Sequence, residues 1–421
     1  MAKTIKTPPS SSMSTVPSTS DPLIDPIARR NVQLLMAAQA LGAASPPIII
    51  SLGGIVGQTL AHDPTLSTLP VSIFQLGVAL STIPAALLMR RLGRREAYLV
   101  GACMGIASGL LAAWAIVHMQ FVLFCLATGL AGFYGACVQS YRFAATDSVP
   151  PAWRPSAISR VMIGGLMAAV IGPQLVIWTR ESWAGVPFAG SFAAQAGLAV
   201  LALPILMLLK PPPPVVASVE GPARPLSEIA RQPDFLVAVL AGVVSYGLMS
   251  FVMTAAPMAM VGCGHTVGEA ALGIQWHVLA MFVPSFFTGQ LMTRFGKRGL
   301  TAFGLLLMGT SALLALAGLE LLHFWGSLVL LGVGWNFGFI GATAMVTDCY
   351  RPTERAKVQA LNDFLVFGTV AIASFSSGRL LNTAGWDRIN LLMFPLLGIV
   401  LVMMGWLVWQ SRRRTPGGTA A

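Results

Sequence analysis

Apolar residues run along this chain in long unbroken stretches, and polar ones collect in the short gaps between them. Twelve such stretches fall at 31–58, 68–89, 97–117, 121–141, 157–178, 187–209, 235–261, 268–292, 299–319, 324–346, 357–381 and 389–410. Each is near the ~20 residues a helix needs to cross ~30 Å of hydrocarbon. Each is rich in Gly, Ala and Leu, which suits closely packed membrane helices. Barrel strands would instead alternate polar and apolar positions over ~10 residues, and no such alternation occurs. The pattern predicts an all-α polytopic membrane protein with twelve transmembrane helices.

Composition agrees. Only 10% of the 421 residues are charged, 55% are hydrophobic and the mean hydropathy is +0.75, whereas a soluble chain carries about 25% charged residues. An ordinary soluble enzyme, a coiled coil and a disordered protein are excluded. The net charge of +11 would suit a nucleic-acid binder, but its placement points elsewhere. With the N-terminus set in the cytoplasm, all 26 Lys and Arg residues except Arg180, Arg379 and Arg388 fall on the cytoplasmic side. Positive charge resists translocation, so the bias predicts a multi-pass inner-membrane protein with both termini cytoplasmic. No nucleic-acid partner is expected.

The expected organisation is a disordered tail over 1–28, a first six-helix bundle over 29–210, a cytoplasmic linker over 211–233, a second bundle over 234–410 and a tail over 411–421. Four consecutive prolines after Lys210 stop the sixth helix and open the linker. The 5 cysteines have no metal spacing and no obvious pairing, so no metal or other cofactor is expected.

The halves match each other. Arg91-Leu92-Gly93-Arg94-Arg95 recurs as Arg294-Phe295-Gly296-Lys297-Arg298, and Gly129 and Gly135 recur at the same offset as Gly332 and Gly338. Thr146-Asp147, Pro151 and Arg154 recur, two residues closer, as Thr347-Asp348, Pro352 and Arg355. Parallel six-helix repeats describe one large transporter architecture. Over about 29–410 the chain resembles the major facilitator superfamily. The loop at Arg91, Gly93, Arg94 and Arg95 is similar to that family's G-x-x-x-D-R-x-G-R-R signature, with Ala86 and Arg90 departing from it. Gly164-Gly165 and Gly172-Pro173 resemble its fifth-helix Gly-Pro motif, with Gln174 and Leu175 in place of the following glycines. The resemblance implies two six-helix pseudo-repeats and alternating access. It implies a cytoplasmic gate at Arg91, Gly93, Arg94, Arg95 and Asp147, mirrored at Arg294, Gly296, Lys297, Arg298 and Asp348. Arg94 or Arg95 is expected to pair with Asp147, and Arg298 or Arg294 with Asp348; the alternative is that these cations only set topology.

Ionisable groups within the bilayer are costly and functional by default. His277 lies about 13 Å into the eighth span at ~1.5 Å per residue, beside Gln275. Asp363, next to Asn362, is the only acid well inside a helix. Asn336, Gln39 and Gln75, with an alternative as interhelical hydrogen bonds, and Trp335 and Tyr246, with an alternative of facing lipid or core, complete the candidate substrate or coupling set. Helix kinks are expected at Pro46 and Pro47, at Gly172 and Pro173, and at Pro257. No Lys or Arg lies in mid-helix, which disfavours organophosphates and polycarboxylates, and no Walker motif is present to bind ATP. Clustered catalytic groups are also missing, so an enzyme is not expected.

The expected activity is secondary active transport of a small neutral or amphiphilic organic molecule, proton-coupled through His277 and Asp363 by a monomer in the lipid bilayer. Symport and antiport stay open, and the partial Gly-Pro motif tilts direction toward export over nutrient uptake. The alternative is a transporter-like membrane sensor or assembly factor.

Overall fold

The computed structural model describes residues 25–147, 149–150, 153–210 and 224–414. Most of the two expected tails and residues 211–223 of the linker lie outside the described residues. Among those described there are helices and turns and no strand.

The first apolar stretch folds as two helices, α1 (Pro26–Gly42) and α2 (Ser45–Leu60). Pro46 and Pro47 occupy the first turn of α2, where a backbone N–H has no intrahelical partner in any case. The expected bend is therefore a full break. Next come α3 (Leu69–Leu92) and α4 (Arg94–Val117), joined through Gly93 alone. Gly93 has φ 88°, ψ 162°, backbone space that is essentially restricted to glycine. The chain continues through α5 (Phe121–Gln139), the single turn α6 (Tyr141–Ala144), α7 (Arg154–Thr179) and α8 (Ala189–Met207).

After the linker, a short α9 (Leu226–Ala230) leads into the 30-residue α10 (Pro233–Gly262). Pro173 and Pro257 are accommodated inside continuous helices. The eighth stretch divides into α11 (Val267–Phe282) and α12 (Ser285–Phe295), which meet at 45° across Val283 and Pro284. Gly296, at φ 75°, joins α12 to α13 (Lys297–Ala317) as Gly93 joins α3 to α4. The chain ends in α14 (Leu321–Thr347), α15 (Arg355–Leu391) and α16 (Met393–Arg414).

Ten described segments are long and apolar enough to cross a membrane, or eleven with α11 and α12 taken as one bent span. The last of these, Lys357–Gln410, is 54 residues long. At ~1.5 Å per residue it would be roughly 80 Å, far more than one crossing. Gly385 breaks it with φ 81°, so it makes two crossings and the twelve expected spans are reached.

Three apolar clusters form the interior. One is drawn from Ala28 through Leu209, and one lies mainly after Ile229 but takes in Ile50, Val71 and Ala169. The third joins α2, α3, α4, α5, α7 and α8 and includes Ala271 of α11. The two halves thus share apolar packing in the part of the molecule away from the basic loops.

Candidate functional site

Between the halves lies a cavity of about 1050 Å³, counting its open mouth. Its first wall comes from α1, α2, α3, α5 and α7 and carries three carboxamides, Gln39, Gln75 and Gln139. None of the three has a side-chain partner among the described residues. Its second wall comes from α10 and α11 and presents Tyr246, Met249, Met253, Met281 and Phe282. Ser250 and Thr254 add hydroxyls there, and the buried Ser250 Oγ has no partner. Among the described residues no Lys, Arg, Asp, Glu or His lines the cavity. Tyr246 is the rim of an aromatic cluster, its ring 5.3 Å from Trp335, 4.9 Å from Phe339 and 5.8 Å from Phe367.

The cavity is closed at the end away from the basic loops. Ser72 Oγ donates to Ser374 Oγ across the halves at 3.3 Å, and Thr254 Oγ1 meets the same Ser374 hydroxyl at 3.2 Å. Thr68 donates to the Phe375 carbonyl, and Asn382 Nδ2 to the Pro64 carbonyl and Ser67 Oγ. Gln174 Nε2 donates to Gln275 Oε1 at 3.0 Å. Hydroxyls and amides make these hydrogen bonds, beside the apolar contacts of Ile50, Val71 and Ala271. Toward the basic end the cavity instead shares Met162 and Phe282 with a crevice between α7 and the α11–α12 bend.

Of the residues expected from sequence, Gln39, Gln75, Tyr246, Pro46 and Pro47 line the cavity. Gln275 belongs to the seam. His277 is fully buried between α11 and α14, its Nδ1 2.7 Å from the Leu328 carbonyl. A carbonyl only accepts, so Nδ1 carries the proton. Asn336 is also fully buried and has every hydrogen-bonding group engaged. Its Nδ2 donates to the Met281 carbonyl and to Ser285 Oγ, both at 2.6 Å, and its Oδ1 accepts from Thr288 Oγ1. These partners flank the α11–α12 break, so Asn336 ties the bend to α14. Asn362 is buried and donates to Asp363, and Trp335 stacks on Phe339 behind Tyr246. Asp363 is exposed, and Arg142 of α6 is within electrostatic reach of it.

At the basic loops, Arg94 grips Asp147 with both carboxylate oxygens engaged, at 2.5 and 3.1 Å. Burial holds the Asp147 carboxyl above its ordinary range, against the opposing pull of Arg94. In the second half the pairing differs from expectation. Lys297, not Arg294 or Arg298, meets Asp348 at 2.6 Å; Arg298 instead meets Asp234 at 2.5 Å. The reason is register: Lys297 is the repeat equivalent of Arg94, the first residue of its helix. Arg95 faces Glu96 at 3.8 Å, and Arg294 lies over the Phe295 ring. All these pairs lie within one half, so they brace each half's own loops rather than bridging the two.

One cluster escaped the sequence. The fully buried Glu354 accepts from the Arg224 backbone N–H, Nε and Nη2 at 2.8–2.9 Å and from the Arg351 N–H. Lys357 donates to the Arg224 carbonyl. The end of the linker is thereby clamped to the start of α15. In sequence, Arg224 was one basic residue among many; no local spacing marked it.

This bundle of broken helices around a charge-free cavity has the build of a secondary transporter. The Major Facilitator Superfamily model matches residues 34–283 and 238–421, and the chain belongs to that family. It is 60% identical to the riboflavin transporter RfnT of Brucella anthropi, over 94% of this chain and 98% of that one. The uncharacterized MFS-type transporter YddS of Bacillus subtilis is 27% identical over 91% of this chain and 92% of its own. Among solved structures, a bacterial homolog of the human lysosomal transporter Spinster, inward-facing and unoccupied, has a TM-score of 0.73 at 16% identity. It covers 94% of this chain and 100% of its own.

These findings overturn the expected export of an unspecified neutral or amphiphilic molecule, because a relative so close along nearly its whole length carries a vitamin. The motif that tilted the reading to export has a packing explanation. A Cβ on Gly172 would lie 2.7 Å from the Ala44 carbonyl oxygen and 3.0 Å from Pro47 Cβ. Glycine there lets α7 touch the α1–α2 break, and that contact carries no information on direction.

Proposed function

We propose that this chain takes up riboflavin, or a flavin very close to it, across the inner membrane by alternating access. The observation that carries this reading is the 60% identity with a riboflavin transporter along both chains. The cavity supports it. Riboflavin joins a flat apolar tricycle to a pyrimidinedione edge and a polyol, and a pocket for it needs aromatic and thioether surface with a few fixed polar groups. Tyr246, Phe282 and the methionines supply the first; Gln39, Gln75 and Gln139 supply the second.

In this reading the basic end is cytoplasmic, both termini lie there, and residues 29–210 and 234–410 rock as two bodies. The state described is open to the cytoplasm and sealed outside. Asp363 and Arg142, one from each half, are the charges placed to approach one another when the inner end closes. The motif pairs Arg94–Asp147 and Lys297–Asp348 keep each half's inner loops in shape through the cycle.

Expression in a riboflavin auxotroph that lacks an uptake system tests the reading. Growth on low external riboflavin and saturable entry of labelled riboflavin are expected. Entry no faster than in the empty-vector strain, with the protein present in the membrane, would sink it.

A further inference from the structure

The two walls of the cavity differ in kind. The first-half wall carries the three unpartnered carboxamides beside Phe74 and Met162; the second-half wall faces them with three thioethers, an aromatic rim and the hydroxyls of Ser250 and Thr254. A small symmetric or wholly apolar substrate would leave such carboxamides without partners wherever it desolvates them. A planar molecule with one polar edge and one apolar end would satisfy both walls in one orientation only.

We propose that the cavity holds the flavin edge-on, with its pyrimidinedione edge toward Gln39, Gln75 and Gln139 and its dimethylbenzene end among Met249, Met253 and Met281. This rests on the reading of the chain as a flavin transporter. The chemistry is complementary. A carboxamide presents a donor and an acceptor side by side; the imide N–H of the flavin sits between two carbonyls and presents the matching pair. The polyol needs no built partner, because its hydroxyls stay in water toward the open mouth. At the other end, methionine side chains are flexible and polarisable and adapt to changes of shape. The first half therefore sets strict recognition of the imide edge, and the second half tolerates substituents on the benzenoid ring.

Competition against labelled riboflavin in cells or proteoliposomes tests this, with three flavins as probes. One is methylated at the imide nitrogen, one carries a bulkier amino substituent on the benzenoid ring, and one has methyl in place of the polyol. The wild type is expected to reject the imide-methylated probe by roughly tenfold or more and to accept the benzenoid-substituted probe within a few-fold of riboflavin. In Gln39→Leu, Gln75→Leu and Gln139→Leu the preference for riboflavin over the imide-methylated flavin is expected to collapse toward one. In Met253→Ala the benzenoid tolerance widens further while the imide preference stays. The readout is a ratio within each variant, so it does not depend on how much protein folds. The orientation is overturned if the glutamine variants keep the full imide preference, or if they lose instead the preference for riboflavin over the flavin without the polyol. Either result leaves riboflavin transport standing, whereas a wild type that carries no riboflavin removes the reading beneath it.

Discussion

Asn336 and Glu354 show what a single polar side chain does in a protein with so few of them. Asn336 uses both donors and its oxygen on the α11–α12 bend. Its replacement by Ala removes the side-chain donor of the Met281 carbonyl and one partner each of Ser285 and Thr288, and should destabilise the protein by about 1–3 kcal/mol. A thermal melt of the detergent-solubilised variant checks this, and the KM of the folded fraction should stay within a few-fold of wild type. Glu354 is set by its partners: hydrogen bonds from Arg224 and the Arg351 N–H hold its carboxyl well below the ordinary 4.5. A depressed acid pKa gives stability that is present above the unfolded value and lost only as pH falls through the lower folded value. The linker clamp should therefore hold unchanged from about pH 8 to about pH 5. Glu354→Gln should release it at every pH, seen as faster protease cleavage between the halves and a melting temperature lower by a few degrees. Neither role was legible beforehand. Asn336 read as one more midspan amide because its partners sit on a different helix, and Arg224 read as a topogenic charge because its carboxylate lies far along the chain.

The helices were much more legible than their breaks, since Pro173 and Pro257 sit in continuous helices and the bends at Pro284 and Gly385 were not foreseen. A membrane leaves little choice, since every backbone group in hydrocarbon must be paired within its own helix, so long apolar stretches had to become helices. Gly93 and Gly296 marked the one-residue turns, and the double proline marked the interruption of the first span. The contacts between elements were another matter. Gln174, noticed only as a departure from a motif, turns out to reach across to Gln275. The seam at Ser72, Ser374 and Thr254 is made of small hydroxyls that sequence treats as filler. The seam predicts a lock. In Ser72→Cys/Ser374→Cys, whose hydroxyl oxygens lie 3.3 Å apart, oxidation should trap the outer end shut and abolish transport. Reduction should restore it, and either single cysteine should transport normally under the same oxidant.

For the whole molecule, the repeat in the loop motifs foretold the two matching halves, and the structure is more symmetric than expected, since Lys297 and Asp348 repeat Arg94 and Asp147. What the chain carries was not readable from it: a cavity lined by glutamine, methionine and aromatic side chains fits many molecules. The proposed cargo rests on the relative and not on composition. The same lining has an electrical consequence. Each elementary charge moved through the membrane field is worth ~2.3 kcal/mol per 100 mV, and neither an uncharged flavin nor the residues that surround it contribute one. Reorientation of the loaded binding site should thus produce no current of its own. If potassium-diffusion potentials imposed on proteoliposomes change the rate of flavin entry, the charge responsible must belong to an ion that travels with the vitamin.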